Sequence, residues 1–274
     1  MPIPIFTSSA FGLLVKLARH RGLIRSMVIR DLKSRYVGSA MGFFWSVIHP
    51  LVLLASYTFV FSVLLKQSLS GEAGTTSFAI NLFCGILPWL VFQETLTRSG
   101  NVLVDHSNLI TKTLFPSEIL PVSVLIANLV NHFIALGIFL LVVLLYLHKM
   151  SFLALLVPVY LLALSLFALG LSWFVCSVQV FLRDTTQVLT VVLTFWFWFT
   201  PILFSEKRLE SPKLVFLMHI NPLAEVVSAY RKCLLSFEPP SWPGLISLYA
   251  VAILSFIGGG LFFRYTKKSF ADVL

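Results

Sequence analysis

The chain has 274 residues, of which 58% are hydrophobic and 11% charged, and its formal net charge is +9. A soluble domain ordinarily carries about 25% charged residues, so this chain has too little polar surface to cover an exterior in water, and lipid is its main solvent. Its 20 Lys and Arg are dispersed between apolar stretches, a pattern that points to membrane topology and away from nucleic acid.

The first element in chain order is 11–36. Leu13, Leu17, Ile24, Val28 and Leu32 fall near one helical face and basic residues crowd the remainder, as in a helix lying in the membrane interface. Gly22 is its potential break, and a plain juxtamembrane basic anchor is the simpler reading of the same stretch. Met1 to Ser9 lacks the basic n-region of a secretory signal, so the chain is expected to be inserted by its own spans.

Six apolar stretches follow: 43–65, 78–97, 119–147, 152–180, 186–204 and 244–263. About 20 apolar residues cross a bilayer core. The second is interrupted by Gly85 and Pro88 and carries Glu94; the third is longer than needed, so it is tilted or extends beyond the bilayer. Between them lies the polar segment 105–113. Between the fifth and sixth, 212–235 contains two apolar pieces too short to cross, parted by Asn221-Pro222, where proline ends the preceding helix. They form either a helical hairpin dipping into one leaflet or a pair of amphipathic surface helices. The expected fold class is all-α integral membrane: one domain over 1–274, six transmembrane helices, an N-terminal interface helix and a short external re-entrant hairpin.

Six spans put both termini on one side. Thirteen of the 20 basic residues then share that side, seven of them between Lys16 and Arg35. The charge bias places both termini in the cytoplasm.

The sequence holds no P-loop pattern, HExxH, paired CxxC or GxSxG, so no catalytic residue and no metal site is expected. Cys84, Cys176 and Cys233 read as small buried apolar residues. His132 stands alone in the third span and reads as a hydrogen-bonded packing residue rather than a proton relay. The chain therefore has no energy source of its own. It is a passive channel, a structural membrane protein or a subunit driven by a separate motor. Aromatics are abundant, with an unbroken run from Phe195 to Phe199. Five consecutive aromatics on a helix point in all directions, so some face lipid. Others could line a conduit and stack on sugar rings, and Tyr57, Trp89, Trp196 and Trp198 are the candidates.

The string RDLKSRYVGSAMGFFWSVIHPL, Arg30 to Leu51, resembles the N-terminal signature of permease subunits from polysaccharide ABC exporters of the O-antigen type (Wzm-like), with capsule and teichoic-acid exporters as relatives. The likeness continues through Leu114 to Pro121, Arg183-Asp184, Thr200-Pro201-Ile202 and Asn221-Pro222-Leu223-Ala224 with Tyr230-Arg231. Thr200 stands where relatives often have Ser.

The resemblance implies a bacterial inner-membrane permease that pairs with a second copy of itself. Two cytoplasmic ABC ATPase subunits would hold the ATP and Mg, with no cofactor on this chain. The substrate would be a polysaccharide on undecaprenyl diphosphate. Arg25, Arg30, Lys33 and Arg35 would attract the diphosphate headgroup, or else set topology or contact the ATPase. Asp105, His106, Asn108 and Lys112 would belong to a helix coupling the chain to its ATPase. Asn221, Pro222, Tyr230 and Arg231 would form the external re-entrant gate. Two rivals stand beside this reading: a permease of the same fold exporting a small lipophilic molecule, and a stand-alone channel or scaffold.

Overall fold

The computed structural model describes residues 12, 17–35, 44–57, 59–60, 78–113, 115–148, 151–203 and 220–274, and every regular element among them is helical. The helices are α1 (Arg21–Ser34), α2 (Trp45–Tyr57), α3 (Phe78–Asp105), α4 (Ser107–Lys112), α5 (Ile119–Leu147), α6 (Val157–Phe181), α7 (Thr185–Phe199), α8 (Pro222–Arg231), α9 (Trp242–Thr266) and α10 (Phe270–Val273). A 3₁₀ turn over Phe152–Leu156 leads into α6, and a wide π turn over Lys232–Ser236 closes α8.

Four helical runs are long and apolar enough to cross a membrane: Phe78–Asp105, Ile119–Leu145, Phe152–Phe181 and Trp242–Val273. The expected count of six then rests on α2 and α7. α7 has 15 residues, about 22 Å at 1.5 Å per residue, which falls short of a hydrocarbon core of roughly 30 Å. It ends at Phe199 rather than at 204. Thr200 is extended (φ −97°, ψ 134°), because Pro201 disfavours helical geometry in the residue before it. α2 covers 13 residues of the expected 43–65, and much of the remainder lies outside the described residues.

The second expected span does not break at Gly85 or Pro88. α3 runs through both and continues to Asp105, eight residues past 97. Proline removes one backbone donor, but Pro88 sits where α3 is buried in protein on both sides, and the packing holds the helix together. Gly85 serves an approach, not a break: a Cβ there would lie 3.0 Å from the Arg231 guanidinium and 3.2 Å from Val227, both on α8.

α3 is the central helix. In its most apolar window 78% of residues are buried, against 28% for α9, which faces outward. α5, α6, α7 and α8 pack around it. α6 and α9 meet most closely: a Cβ on Gly259 would lie 1.9 Å from the Gly170 carbonyl oxygen, and one on Gly170 would lie 2.3 Å from the Ser255 backbone. Ser255 Oγ donates to Phe167 O across this crossing at 3.1 Å.

α8 is the described limb of the 212–235 segment. Its side chains from Leu223 to Tyr230 are mostly buried against α3 and α6, so this limb does not lie on the protein surface. Residues 212–219, the other limb, lie outside the described residues. At the far end of the chain, Lys267 pairs with the buried carboxylate of Glu118. Phe270 is fully buried beside Phe181 and Phe263, and α10 rests on α4.

Candidate functional site: a polar seam between α1, α3 and α5

α1 begins after a turn at His20 (φ −100°, ψ 22°) and includes Gly22, so the break expected at the glycine falls two residues earlier. Met27 and Val28 are its buried residues. Met27, with Leu17, Leu23 and Ile24, joins a core cluster that includes Leu120, Val124 and Leu125 of α5. The apolar stripe of this helix is thus seated on protein and not on acyl chains alone. That seating fixes where its polar residues go.

Asp31 faces inward and takes a bidentate grip from Arg98 of α3: Nη1 donates to Oδ2 at 3.0 Å, and Nη2 donates to Oδ1. Arg35 Nε reaches the same carboxylate at 3.3 Å. Arg35 also donates to Glu94 Oε1 of α3 at 3.0 Å and to Asn128 Oδ1 of α5 at 2.5 Å. Asn128 Nδ2 donates to Thr95 Oγ1 at 3.1 Å. Two carboxylates are matched by two guanidiniums, whose planar forks suit this geometry. Burial pushes the Asp31 carboxyl above its ordinary range, against the lowering pull of Arg35.

One turn toward α4, Arg30 Nη2 lies 3.0 Å from His106 Nε2. His106 Nδ1 is 2.9 Å from Val102 O. A carbonyl only accepts, so the proton sits on Nδ1 and Nε2 accepts from Arg30. This contact joins the interface helix to the residue that opens α4. An open cavity of about 720 Å³ lies beside it, lined among others by Arg30, Asp31, Arg98, Asp105, His106 and Asn108. In the opposite direction the seam continues to a second pocket of about 450 Å³ between α2, α3 and α5, lined by Arg35, Trp45, His49, Glu94, Asn131 and His132 among others. His132 Nε2 is 3.0 Å from the Tyr230 hydroxyl of α8. Three separate polar groups thus lie along this line: Arg30–His106 at α4, the ion pairs between α1, α3 and α5, and His132–Tyr230 at α8.

The expected site residues separate accordingly. Arg25, Arg30 and Lys33 are exposed on α1, with Arg30 and Lys33 lining one shallow groove. Arg35 is not on that face; its side chain is 16% exposed and committed to ion pairs. Asp105, Asn108 and Lys112 are exposed around α4, and His106 is half-buried.

The aromatics divide too. Trp89, expected on a conduit, is 2% exposed; it donates to Gln93 Oε1 at 2.6 Å and packs on Phe92 and Phe197. Trp196 is held against Phe92 and Phe167 and donates to Asn221 Oδ1 at 3.0 Å. Trp198 is 62% exposed, with Phe195 and Phe199 on the same outward side of the division. The Tyr57 side chain lies outside the described residues.

Asn221 caps α8, accepting from Leu223 N at 3.1 Å, and Pro222 occupies its first turn. Tyr230 is fully buried. Arg231 donates to the main-chain oxygens of Asn81, Pro201 and Ile202. These four residues staple α8 to its neighbours.

All three cysteines are buried and free, and the described residues contain no cluster able to hold a metal ion. Sequence reasoning missed Asp31, Arg98 and Asn128. The available signals were Arg98 and Asn128 as polar residues inside apolar helices, and Asp31 as a lone acid in a basic one.

The model of a known family, the ABC-2 type transporter, matches residues 22–235. Curated relatives include an O-antigen export system permease protein of Myxococcus xanthus, 29% identical over 258 residues, covering 94% of this chain and 97% of the relative. Two proteins of the same description from Klebsiella pneumoniae are 27% and 24% identical, each covering 89% of this chain and 92% of the relative. The family match takes in α1 from its second residue, the polar seam and α8 with its closing turn, and the chain belongs to the ABC-2 type transporter family.

Proposed function

We propose that this chain is the conduit-forming permease of an ATP-driven exporter in a bacterial inner membrane, and that its cargo is a polysaccharide carried on a polyprenyl diphosphate lipid. Two copies form one conduit, and two cytoplasmic ATPase subunits dock at α4. The observation that carries this reading is the placement of α1: its exposed Arg30 lines a cavity that also borders the α4 segment, Lys33 shares a shallow groove with Arg30, and Arg25 is exposed on the same helix. Guanidinium groups suit phosphate oxygens, and the Arg30–His106 contact ties that face to the docking helix. The names of the relatives, which are O-antigen export permeases, support the substrate class.

The test is co-expression with candidate ATPases, purification, and measurement of ATP hydrolysis with and without lipid-linked glycan. Glycan-stimulated hydrolysis is expected. Stimulation by small lipophiles alone would favour a drug-type exporter of the same fold, and failure of any ATPase to co-purify would favour a stand-alone channel. Reversing charge with Arg30→Glu and Lys33→Glu should lower export while leaving insertion intact; unchanged export would remove the headgroup role.

A further inference from the structure

The pocket between α2, α3 and α5 has a chemistry of its own. Its volume of about 450 Å³ is in the range of small-molecule sites, about 300–1,000 Å³. Its lining joins the polar His49, Glu94, Asn131 and His132 to apolar residues such as Leu87 and Val91. One of them, the part-buried Asn131, holds its Oδ1 without a hydrogen-bond partner and closed to solvent, so that a rotation of the amide is needed to offer it to the pocket. A buried acceptor left unpaired is costly, and native proteins rarely keep one without a use. The ion pairs beside it balance: Asp31 and Glu94 against Arg35 and Arg98. The site therefore calls for an uncharged ligand and not for a phosphate. What fits is a group that donates hydrogen bonds to an amide oxygen and a carboxylate. The Glu94 side chain is 43% exposed and gives one oxygen to Arg35, which leaves acceptor capacity on the carboxylate. Trp45 lines the same pocket and is 46% exposed, an apolar ring beside polar oxygens.

We infer that this pocket holds a hydroxyl-rich ring, the first sugar of the lipid-linked glycan, with Asn131 and Glu94 accepting from its hydroxyls and Trp45 flanking its C–H face. Glu94 lies one helical turn along α3 from Arg98, so the pocket is the next stop inward from the α1 face. The inference rests on the function proposed above and adds a sugar subsite to it. A hydroxylated headgroup of the bilayer shares the chemistry, and the experiment separates the two sources.

The full chain is placed in phosphatidylcholine nanodiscs, and its affinity is measured for polyprenyl diphosphate and for the same lipid bearing one hexose. The hexosyl form should bind about tenfold more tightly or better, as expected where hydroxyls meet a buried acceptor. Trp45→Ala and Asn131→Leu should each erase that preference and leave the affinity for the bare diphosphate unchanged, which also reports an intact fold. Trp45→Phe should keep most of it. Equal binding of the two lipids by the unsubstituted chain, or variants that weaken both alike, overturns the sugar subsite while the exporter reading stands. So does loss of the preference when phosphatidylglycerol is added, which would make the pocket a bilayer-headgroup site. Failure to bind either polyprenyl lipid strikes the exporter reading itself.

Discussion

Arg98 and Asp31 are 67 residues apart and bind each other through both oxygens and both terminal nitrogens. Removing Arg98 leaves the half-buried Asp31 with Arg35 as its remaining partner, and removing Asp31 leaves Arg98 with Asn128 Oδ1 at 3.3 Å. Both side chains keep some exposure, 30% and 20%, so solvent screening reduces the loss from that of a fully buried pair. Arg98→Ala is expected to cost about 1–3 kcal/mol of stability, read as a lower thermal midpoint in detergent. Arg98→Lys should recover part of it, since an ammonium cannot reproduce the fork. In a double-mutant cycle, Asp31→Asn with Arg98→Ala should cost less than the sum of the single changes; strict additivity would mean that the pair contributes nothing. The charges of α1 were visible in the sequence, but their division was not. Arg35 looks like Arg30 and Lys33 until the seating of Met27 and Val28 turns it inward to Glu94 and Asn128, 59 and 93 residues away.

At the level of elements, apolar run lengths gave the existence of α3, α5, α6 and α9 and much of their extent, because the bilayer imposes one length on every crossing. They misjudged α3 and α7 for opposite reasons. Pro88 did not end a helix whose surroundings are all protein, whereas Thr200-Pro201 ended α7 where the chain turns back toward α8. The glycines were equally ambiguous. Gly170 and Gly259 let two backbones touch, in the manner of small residues at helix contacts in membranes, while a Cβ at Gly137 would meet nothing within 4 Å. Gly259→Val should therefore prevent accumulation of folded protein by forcing α6 and α9 apart, and Gly137→Ala should be neutral or mildly stabilising. The check is the yield of monodisperse protein after size-exclusion chromatography. Equal yields from both would show that the α6–α9 approach is not required for folding.

For the molecule as a whole, composition already identified the solvent, and the family match fixes the class of machine. The polar pairs along α4, α1 and α8 were not legible, because residues notable singly, such as Arg30, Arg35, His106 and His132, find partners distant in sequence. Topology is the property to measure at this scale. Cys84, Cys176 and Cys233 are buried, so they provide a quiet background for thiol labelling. In Lys112→Cys and Ser269→Cys variants, a membrane-impermeant maleimide should react only after the cells are opened. Both sites should behave alike, since α10 rests on α4. Labelling in intact cells would invert the orientation read from the basic residues.

Arg231 donates to three main-chain oxygens. Main-chain oxygens are supplied by every amino acid. These three hydrogen bonds thus depend on one codon and place no demand on the side chain at position 81, while Ile202 answers to the core in which it is buried. In a saturation mutagenesis screen, Arg231 should tolerate almost nothing, lysine included, whereas the half-buried Asn81 should accept many replacements. Two descendants of this protein could then differ at position 81 and still inherit the same α8 attachment, provided that Gly85 keeps its room for the guanidinium.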